Sequence, residues 1–242
     1  MYQQKDSMGN TPLAWAAGNG HDEVVKLLLG RDRVDPNKQN VAGRTPLWMA
    51  AYMGRLGVVE ILLGRDDVTP DKPDLFSRTP LWIAAWSGHE EVVKFLLGRG
   101  DINPDKSDEG GRTPLWGAAE GGHEEVVRAL VGRNDMKPDK PDAEGNTPLL
   151  RAACNGHGGV VKILLGRDDV DPNKPDRHGK TPLWMAARSG HEEVVKLLLG
   201  WGDINPDRTD KAGRTVLWAA RNGHAGVVAL LRSRKPATNS AA

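Results

Sequence analysis

The most constraining feature of this sequence is a threonine that returns every 34 residues. A fixed period of this size indicates an array of stacked units rather than one wound globule. Residues shared by the units are constrained by packing, whereas variable exposed residues are free to contact a partner. Pro-Leu follows the threonine in six of the seven units, which begin their helical part at Thr11, Thr45, Thr79, Thr113, Thr147, Thr181 and Thr215.

One unit illustrates the local structure that the repeat predicts. Thr79 is suited to cap a helix, and Pro80 fits the first helical position, where its missing N–H costs nothing. Gly88 ends this short apolar helix, and a second helix begins after His89 with two acidic residues. Each helix is shorter than about ten residues and is unstable alone in water. The units must therefore stack to bury their Val-Val and Leu-Leu pairs.

The repeated pattern D-x-x-G-R-T-P-L-W-x-A-A-x-x-G-H-x-x-V-V-K-x-L-L closely resembles the ankyrin repeat. The Trp, Leu-Gly, Tyr and late-proline pattern of tetratricopeptide repeats, which share the 34-residue period, is missing. Compared with the usual ankyrin unit, Trp replaces a His after Thr-Pro-Leu, and one residue is added in the loop after the second helix. This variant resembles the arrays at the C-terminal end of fungal NACHT-type sensor proteins.

The resemblance implies an all-α solenoid of seven helix-turn-helix units with hairpin-like turns. We expect a single domain over residues 1–235, followed by a polar tail at 236–242. The repeats are expected to start near residues 6, 40, 74, 108, 142, 176 and 210.

The last unit departs from the pattern, because TVLWAARNGH is one residue shorter than TPLWMAARSGH. Loss of one residue inside a helix rotates the remainder of that helix by about 100°. Two interpretations are open. Either the first helix of this unit is shortened or distorted, or Trp218 takes the place that Trp15 holds in the first unit.

Composition limits the class of activity. Lys and Arg number 33 against 32 Asp and Glu, for a net charge of +1, which does not favour a nucleic-acid or membrane surface. The single cysteine, Cys154, cannot form an internal disulfide, so an intracellular, cytoplasmic location is expected. We expect no cofactor.

Three apparent chemical motifs are better explained by the repeat. The Gly-His pairs recur on stacked helices about 8–10 Å apart, too far for equivalent histidines to share a metal ion. They are expected to brace loops instead. Cys154 and His157 are spaced like a nucleophile and a base, but no third group is evident to orient the histidine. Lys180 and Thr181 follow a glycine as in a phosphate-binding loop, but the earlier glycine is missing. The chain is therefore not expected to be an enzyme.

The variable positions of the repeats form two candidate binding zones. In ankyrin arrays the turn residues and the ends of the first helices line the concave face. Aromatic residues and methionine, which interface cores favour, mark the first zone. It comprises Val41, Tyr52, Met53, Leu75, Phe76 and Trp86. The second zone is charged and suited to steering or rim contacts. It comprises Glu109, Glu120, Arg177, His178 and Arg188, with Glu144 as a further acidic member. An alternative is drift in a duplicated array, with Tyr52 or Phe76 folded back onto neighbours.

Other repeated residues are expected to be structural. The basic residue before each helix is predicted to pair with the turn aspartate, as Arg78 with Asp74, and the regular tryptophans are predicted to pack between repeats. Asp and Lys alternate in the loops and are interpreted as solvated turns.

Together these features predict a monomeric, non-catalytic module that binds another protein through its concave face. An engineered or consensus-like scaffold without a natural partner is the alternative, since 79–112 and 181–214 differ at only 8 of 34 positions.

Overall fold

The computed structural model describes residues 5–202, 204–221 and 223–233, and the regular structure in these residues is helical. The chain divides into two compact units, Met1–Ala143 and Glu144–Ala242. The first unit holds α1 (Pro12–Asn19), α2 (Asp22–Leu29), α3 (Pro46–Tyr52), α4 (Leu56–Leu63), α5 (Pro80–Trp86), α6 (Glu90–Leu97), α7 (Pro114–Gly121) and α8 (Glu124–Val131). The second holds α9 (Pro148–Asn155), α10 (Gly158–Leu165), α11 (Pro182–Ser189), α12 (Glu192–Leu199), α13 (Val216–Ala220) and α14 (Ala225–Arg232). The predicted helix-turn-helix repeat is confirmed, whereas the proposed polar tail lies outside the described residues.

The repeated threonine caps the first helix of every repeat, as predicted. Thr79 Oγ1 accepts the backbone N–H of Trp82 at 3.1 Å, and Pro80 occupies the first turn. Thr79 is fully buried, so its hydroxyl satisfies a donor that water cannot reach. The repeated sequence motif is thus a helix-initiation device.

Stacking of equivalent helices forms the core. In the first unit α1, α3, α5 and α7 pack in succession, and α2, α4, α6 and α8 form a second row behind them. The second unit repeats this arrangement with α9, α11 and α13 in front of α10, α12 and α14. Val92, Val93 and Leu96 are at most 1% exposed, and the alanine pair of the same repeat is equally buried. These small side chains allow the close helix approach that the sequence predicts.

The turns that precede the first helices are joined by a ladder of backbone hydrogen bonds. In each step a turn residue donates its N–H to a carbonyl 33 positions earlier, as Leu75 does to Ala42 at 3.1 Å and Lys211 to His178 at 2.8 Å. Within each compact unit these bonds fix the spacing of successive turns. The expected hairpin-like turns are therefore also an inter-repeat contact.

The loops after the second helices are not simply solvated, so that interpretation was wrong. Asp71 Oδ2 accepts the backbone N–H of Asn103 at 3.0 Å, and Lys106 Nζ donates to the Asp71 carbonyl at 2.9 Å. Ile102 is 5% exposed and anchors the same loop in the core. The alternating charges thus tie each loop to the loop of the preceding repeat, a role that their polar composition hides.

The last repeat accommodates its missing residue by shortening the first helix. Helix α13 has five residues, and Trp218 N–H donates to Thr215 Oγ1 at 3.2 Å. Trp48 makes the same bond to Thr45 in the second repeat. Trp218 therefore keeps the register of the regular tryptophans, and the alternative in which it replaces Trp15 is wrong.

Candidate functional site

One predicted binding residue, Phe76, contacts Arg78, and two others, Tyr52 and Trp86, contact tryptophans whose rings lie near the same arginine. Its guanidinium carbon lies 4.9 Å from the ring centre of Phe76 and 5.8 Å from the rings of both Trp48 and Trp82. These two tryptophans then contact the remaining members. Tyr52 lies 5.4 Å from Trp48 in a tilted arrangement, and Trp86 stacks on Trp82 at 6.5 Å and 17°. We call this set of six residues the aromatic cluster.

Two features hold Arg78 in place at the centre of the aromatic cluster. Its Nη2 and Nε lie 2.6 and 2.9 Å from Asp74 Oδ2. Asp74 Oδ1 in turn accepts the backbone N–H groups of Phe76 and Arg78 at 3.0 and 2.9 Å. The Asp74 side chain is fully buried, so the ion pair is shielded from water on one side. A fixed guanidinium over aromatic faces gives favourable cation–π contacts.

The aromatic cluster presents apolar surface to solvent. Phe76 is 55% exposed and Trp86 is 42% exposed, and the neighbouring Leu75, Val41 and Met53 are also exposed. Tyr52 is only half-buried against Trp48, which agrees in part with the alternative that it folds back onto a neighbour. Adjacent exposed apolar side chains of this kind mark interaction sites more often than chance exposure.

Ser77 introduces backbone strain next to the aromatic cluster. Its φ is 62°, and within the described residues it is the non-glycine residue with positive φ. The equivalent turn position is glycine in the neighbouring repeats, as at Gly43 and Gly111. A left-handed conformation is unfavourable for a residue with a Cβ. Such strain concentrates at functional sites, and serine in place of the repeated glycine is a sequence signal that the predicted binding zones left unused.

The charged zone is partly paired within itself. Arg177 forms an ion pair with Glu144 and donates from Nε to His178 Nε2 at 3.2 Å. The guanidinium of Arg188 lies 5.7 Å from the ring of Trp184. Glu109 is exposed, and its backbone N–H bonds to the carbonyl of Phe76. Glu120, at the end of α7, is half-buried. Arg177 and Arg188 therefore make local contacts within their own compact unit.

The repeated histidines brace neighbouring repeats, as predicted. His89 Nε2 lies 2.8 Å from the carbonyl of Tyr52, and His123 Nε2 lies 3.1 Å from the carbonyl of Trp86. Arg55 replaces the histidine in the second repeat and donates to the Gly18 carbonyl at 3.3 Å. These bonds fix the helix ends that carry Tyr52 and Trp86.

Neither metal nor nucleophile chemistry gains support from the geometry. No group of three or more His, Cys, Asp or Glu that could hold a metal ion occurs in the part of the chain that the structure describes. The carbonyl of Cys154 is bonded by His191 Nε2 at 2.9 Å, so this histidine serves the inter-repeat contact.

The regular tryptophans and arginines also connect repeats. Trp48 Nε1 donates to the Arg78 carbonyl at 3.1 Å, and Trp82 Nε1 donates to the Arg112 carbonyl at 2.7 Å. The predicted ion pairs between turn aspartate and following arginine are present at Asp74, Asp108 and Asp210. The sequence predicted the ion pair between Arg78 and Asp74 but not the contact between Arg78 and Phe76.

Comparison with known proteins places the chain in a family. The sequence profile described as ankyrin repeats (3 copies) matches residues 1–74, 32–108, 81–176 and 169–241. Together these matches span nearly the whole chain, and the protein belongs to the ankyrin repeat family. Ankyrin repeats generally serve as protein–protein interaction modules and are typically non-catalytic. No curated protein sequence matches the chain significantly. Among the described residues, no helix is both long and apolar enough to cross a membrane.

Proposed function

We propose that this protein binds another protein through the aromatic cluster and the exposed apolar residues beside it, on the concave face expected of the family. The observation that carries the proposal is that Phe76 contacts Arg78 directly, while Tyr52 and Trp86 contact the two tryptophans near that arginine. Aromatic side chains and arginine are also the usual carriers of interface energy.

The surface is suited to rigid docking. Asp74 holds the guanidinium of Arg78, the histidine bonds hold the ends of α3 and α5, and the turn ladder holds the backbone of Leu75. Because these groups are ordered before binding, association costs little conformational entropy. Arg177, His178 and Arg188 are charged residues suited to steering a partner and would influence the rate of encounter.

The chemistry of the site indicates what the partner presents. Phe76 and Trp86 offer flat apolar faces, whereas Asp74 neutralises the charge of Arg78. The partner segment is therefore expected to be apolar or aromatic, with acceptors that can reach the exposed edges of the rings. Catalysis, a cofactor and nucleic-acid binding form no part of this proposal. The proposed setting is the reducing cytoplasm, because the one cysteine is free.

The test measures the affinity of a captured partner for alanine variants of the aromatic cluster and for a control tryptophan variant. Trp86→Ala and Phe76→Ala are each expected to weaken binding by more than about tenfold, since hot-spot truncations commonly cost over 1–2 kcal/mol. Trp201→Ala is the control, because Trp201 is 40% exposed, close to the 42% of Trp86, and lies in the loop after α12, in the second compact unit.

The outcomes distinguish specific binding at the aromatic cluster from non-specific binding by exposed apolar side chains. Equal losses for Trp86→Ala and Trp201→Ala would mean that exposed tryptophan alone drives capture. Unchanged affinity for both Phe76→Ala and Trp86→Ala, with melting temperatures preserved, would place the binding site elsewhere.

A further inference from the structure

A cavity of about 270 Å³ lies between the sixth and seventh repeats, within the second compact unit. Its lining is basic and aromatic, and among the described residues no acidic side chain lines it. We call it the cationic cavity. The residues that line it are Lys180, Trp184, Arg188, Arg214, Trp218 and Ala219.

The three cations of the cationic cavity surround one buried indole ring. Lys180 Nζ lies 5.1 Å from the ring centre of Trp184, and the guanidinium carbons of Arg188 and Arg214 each lie 5.7 Å from it. Trp184 is only 2% exposed, so its ring is a fixed part of the core. The ring attracts each cation through its quadrupole but adds no negative charge. The positive charge of the cavity therefore stays available to a ligand.

One of the three cations is balanced by an ion pair. Arg214 Nη2 lies 2.7 Å from Asp210 Oδ2, as in the earlier turns. Asp176, the aspartate of the preceding turn, accepts the backbone N–H groups of His178 and Lys180 at 2.8 Å. In the part of the chain that the structure describes, however, neither Lys180 Nζ nor the Arg188 guanidinium forms an ion pair. Two positive charges of the cavity are thus left unbalanced.

Departures from the repeat create this cavity. Counted from the capping threonines, Arg188 takes the position of Trp86, and Ala219 takes that of Ile83. Ala219 is small, and α13 ends after five residues, so less volume is filled beside Arg188.

The same junction also leaves a hydrogen-bond donor unused. Trp82 Nε1 donates to the Arg112 carbonyl at 2.7 Å, but Trp184 Nε1 is buried without a partner among the described residues. Buried polar groups without a partner are uncommon. The lining of the cationic cavity therefore contains an uncompensated N–H dipole in addition to its cations.

The charge and size of the cationic cavity define the class of its ligand. A phosphate monoester carries about −1.5 to −2 charges at neutral pH and three acceptor oxygens, which match two unbalanced cations and a third donor. A carboxylate carries one negative charge and would leave one cation unbalanced. Typical ligand pockets begin at about 300 Å³, so this cavity suits a small group rather than an extended molecule. Lysine and arginine are both common phosphate ligands.

We propose that the cationic cavity binds a phosphate monoester dianion. Lys180 and Arg188 are its main ligands, and Arg214 is an additional donor. A phosphorylated side chain of a protein and a small phosphate compound both present this group. The site does not depend on the proposed function of the aromatic cluster, because the two sites lie in different compact units and share no residue.

The test is an NMR titration of the full chain with methyl phosphate at neutral pH and constant ionic strength. The amide signals around positions 180, 188 and 214 should shift saturably. Lys180→Gln and Arg188→Gln are each expected to weaken binding by more than about tenfold, because each removes a hydrogen bond to a charged group. Lys196→Gln is the matched control, since Lys196 is exposed on α12 and does not line the cavity. It removes the same charge and should change the affinity by less than about twofold.

The choice of phosphate compounds identifies the ligand. Dimethyl phosphate carries one negative charge and should bind at least about tenfold more weakly than methyl phosphate. A Gly-phosphoserine-Gly peptide that binds more tightly than methyl phosphate would assign the group to a protein. One that binds less tightly would assign it to a small phosphate compound, and both results support the site.

Three outcomes would overturn the proposal. The first is the absence of a saturable shift with methyl phosphate, and the second is equal affinity for the two methyl esters. The third is an equal loss for Lys180→Gln, Arg188→Gln and Lys196→Gln, which would mean that net charge alone attracts phosphate. Unchanged melting temperatures of the variants show that a loss of binding is not a loss of folding.

Discussion

Asp71 uses only one of its carboxylate oxygens to hold the next repeat. Its Oδ2 accepts the backbone N–H of Asn103 at 3.0 Å, while its Oδ1 is buried without a hydrogen-bond partner among the described residues. Burial raises the pKa of Asp71 above its ordinary value. Asn37 is the equivalent residue of the first repeat, and both of its polar side-chain atoms are hydrogen-bonded. Its Oδ1 accepts the N–H of Thr69 at 2.8 Å, and its Nδ2 donates to the Asp67 carbonyl at 2.6 Å.

Asp71→Asn is therefore expected to stabilise the protein at pH 7. The amide keeps the acceptor for Asn103, removes a buried charge and gains a donor for the Asp101 carbonyl. One added hydrogen bond contributes about 1 kcal/mol. Because the folded protein holds the Asp71 proton more tightly than the unfolded chain does, ionisation opposes folding as pH rises past the ordinary value of 3.8. The gain in the free energy of unfolding, measured by urea titration, should thus be largest at neutral pH and shrink toward pH 3.

Asp101→Asn is the control with the opposite sign. Hydrogen bonds from Arg99 lower the pKa of Asp101, so its charge favours folding above the ordinary value and this contribution is lost as pH falls. This substitution should destabilise the protein at pH 7 and have little effect in acid. If both asparagine variants shift stability in the same direction at pH 7, the assigned roles of the two aspartates are wrong.

Ser77→Gly is expected to stabilise the turn beside the aromatic cluster by about 1 kcal/mol. A left-handed conformation costs a residue with a Cβ about this much, and glycine avoids that cost. The reverse change, Gly43→Ser, occupies the same turn position one repeat earlier. A Cβ at Gly43 would lie 2.7 Å from the backbone nitrogen of Leu75, so this variant should be destabilised. Thermal melting of both variants checks the pair, and a lower melting temperature for Ser77→Gly would contradict the assignment of strain to Ser77.

His89→Ala is expected to loosen the contact between the second and third repeats. The substitution removes the hydrogen bond between His89 Nε2 and the Tyr52 carbonyl, which lies at 2.8 Å, and costs about 1 kcal/mol. Amide hydrogen exchange should become faster at the end of α3. His89→Arg should recover part of the loss, because Arg55 makes the corresponding bond to Gly18. His178→Ala, at an exposed turn, should leave the exchange at α3 unchanged.

The fold was predictable because every repeat carries the same local signals for where its helices begin and end. The spacing of Thr79, Pro80, Gly88 and His89 encodes caps and helix ends, and these appear where the sequence placed them. The candidate site was predictable only in part. Phe76 and Trp86 stand out as departures from the repeat, but the contact between Phe76 and Arg78 depends on the direction of the Arg78 side chain, which Asp74 sets. A one-dimensional pattern does not contain that direction.

The loops show the other limit of sequence reasoning. Asp71 and Lys106 have the composition of solvated turns, yet they bond across repeats, to partners 32 and 35 positions away. Polar composition predicts exposure only when the backbone nearby has its own partners. Here the loop backbone has N–H and carbonyl groups without partners in their own repeat, and the neighbouring loop satisfies them.

Val92→Ala and Val24→Ala compare one position of the repeat inside the array and at its start. Val92 is 1% exposed, whereas Val24, at the equivalent position of the first repeat, is 46% exposed. Truncating Val92 removes two buried methyl groups and leaves a cavity, so the expected loss is about 2 kcal/mol. Val24→Ala should cost less than about 0.5 kcal/mol in dilute protein, since solvent already reaches this side chain. Urea unfolding of the two variants measures both effects. If Val24→Ala costs as much as Val92→Ala, the difference in burial between the two positions does not set the cost.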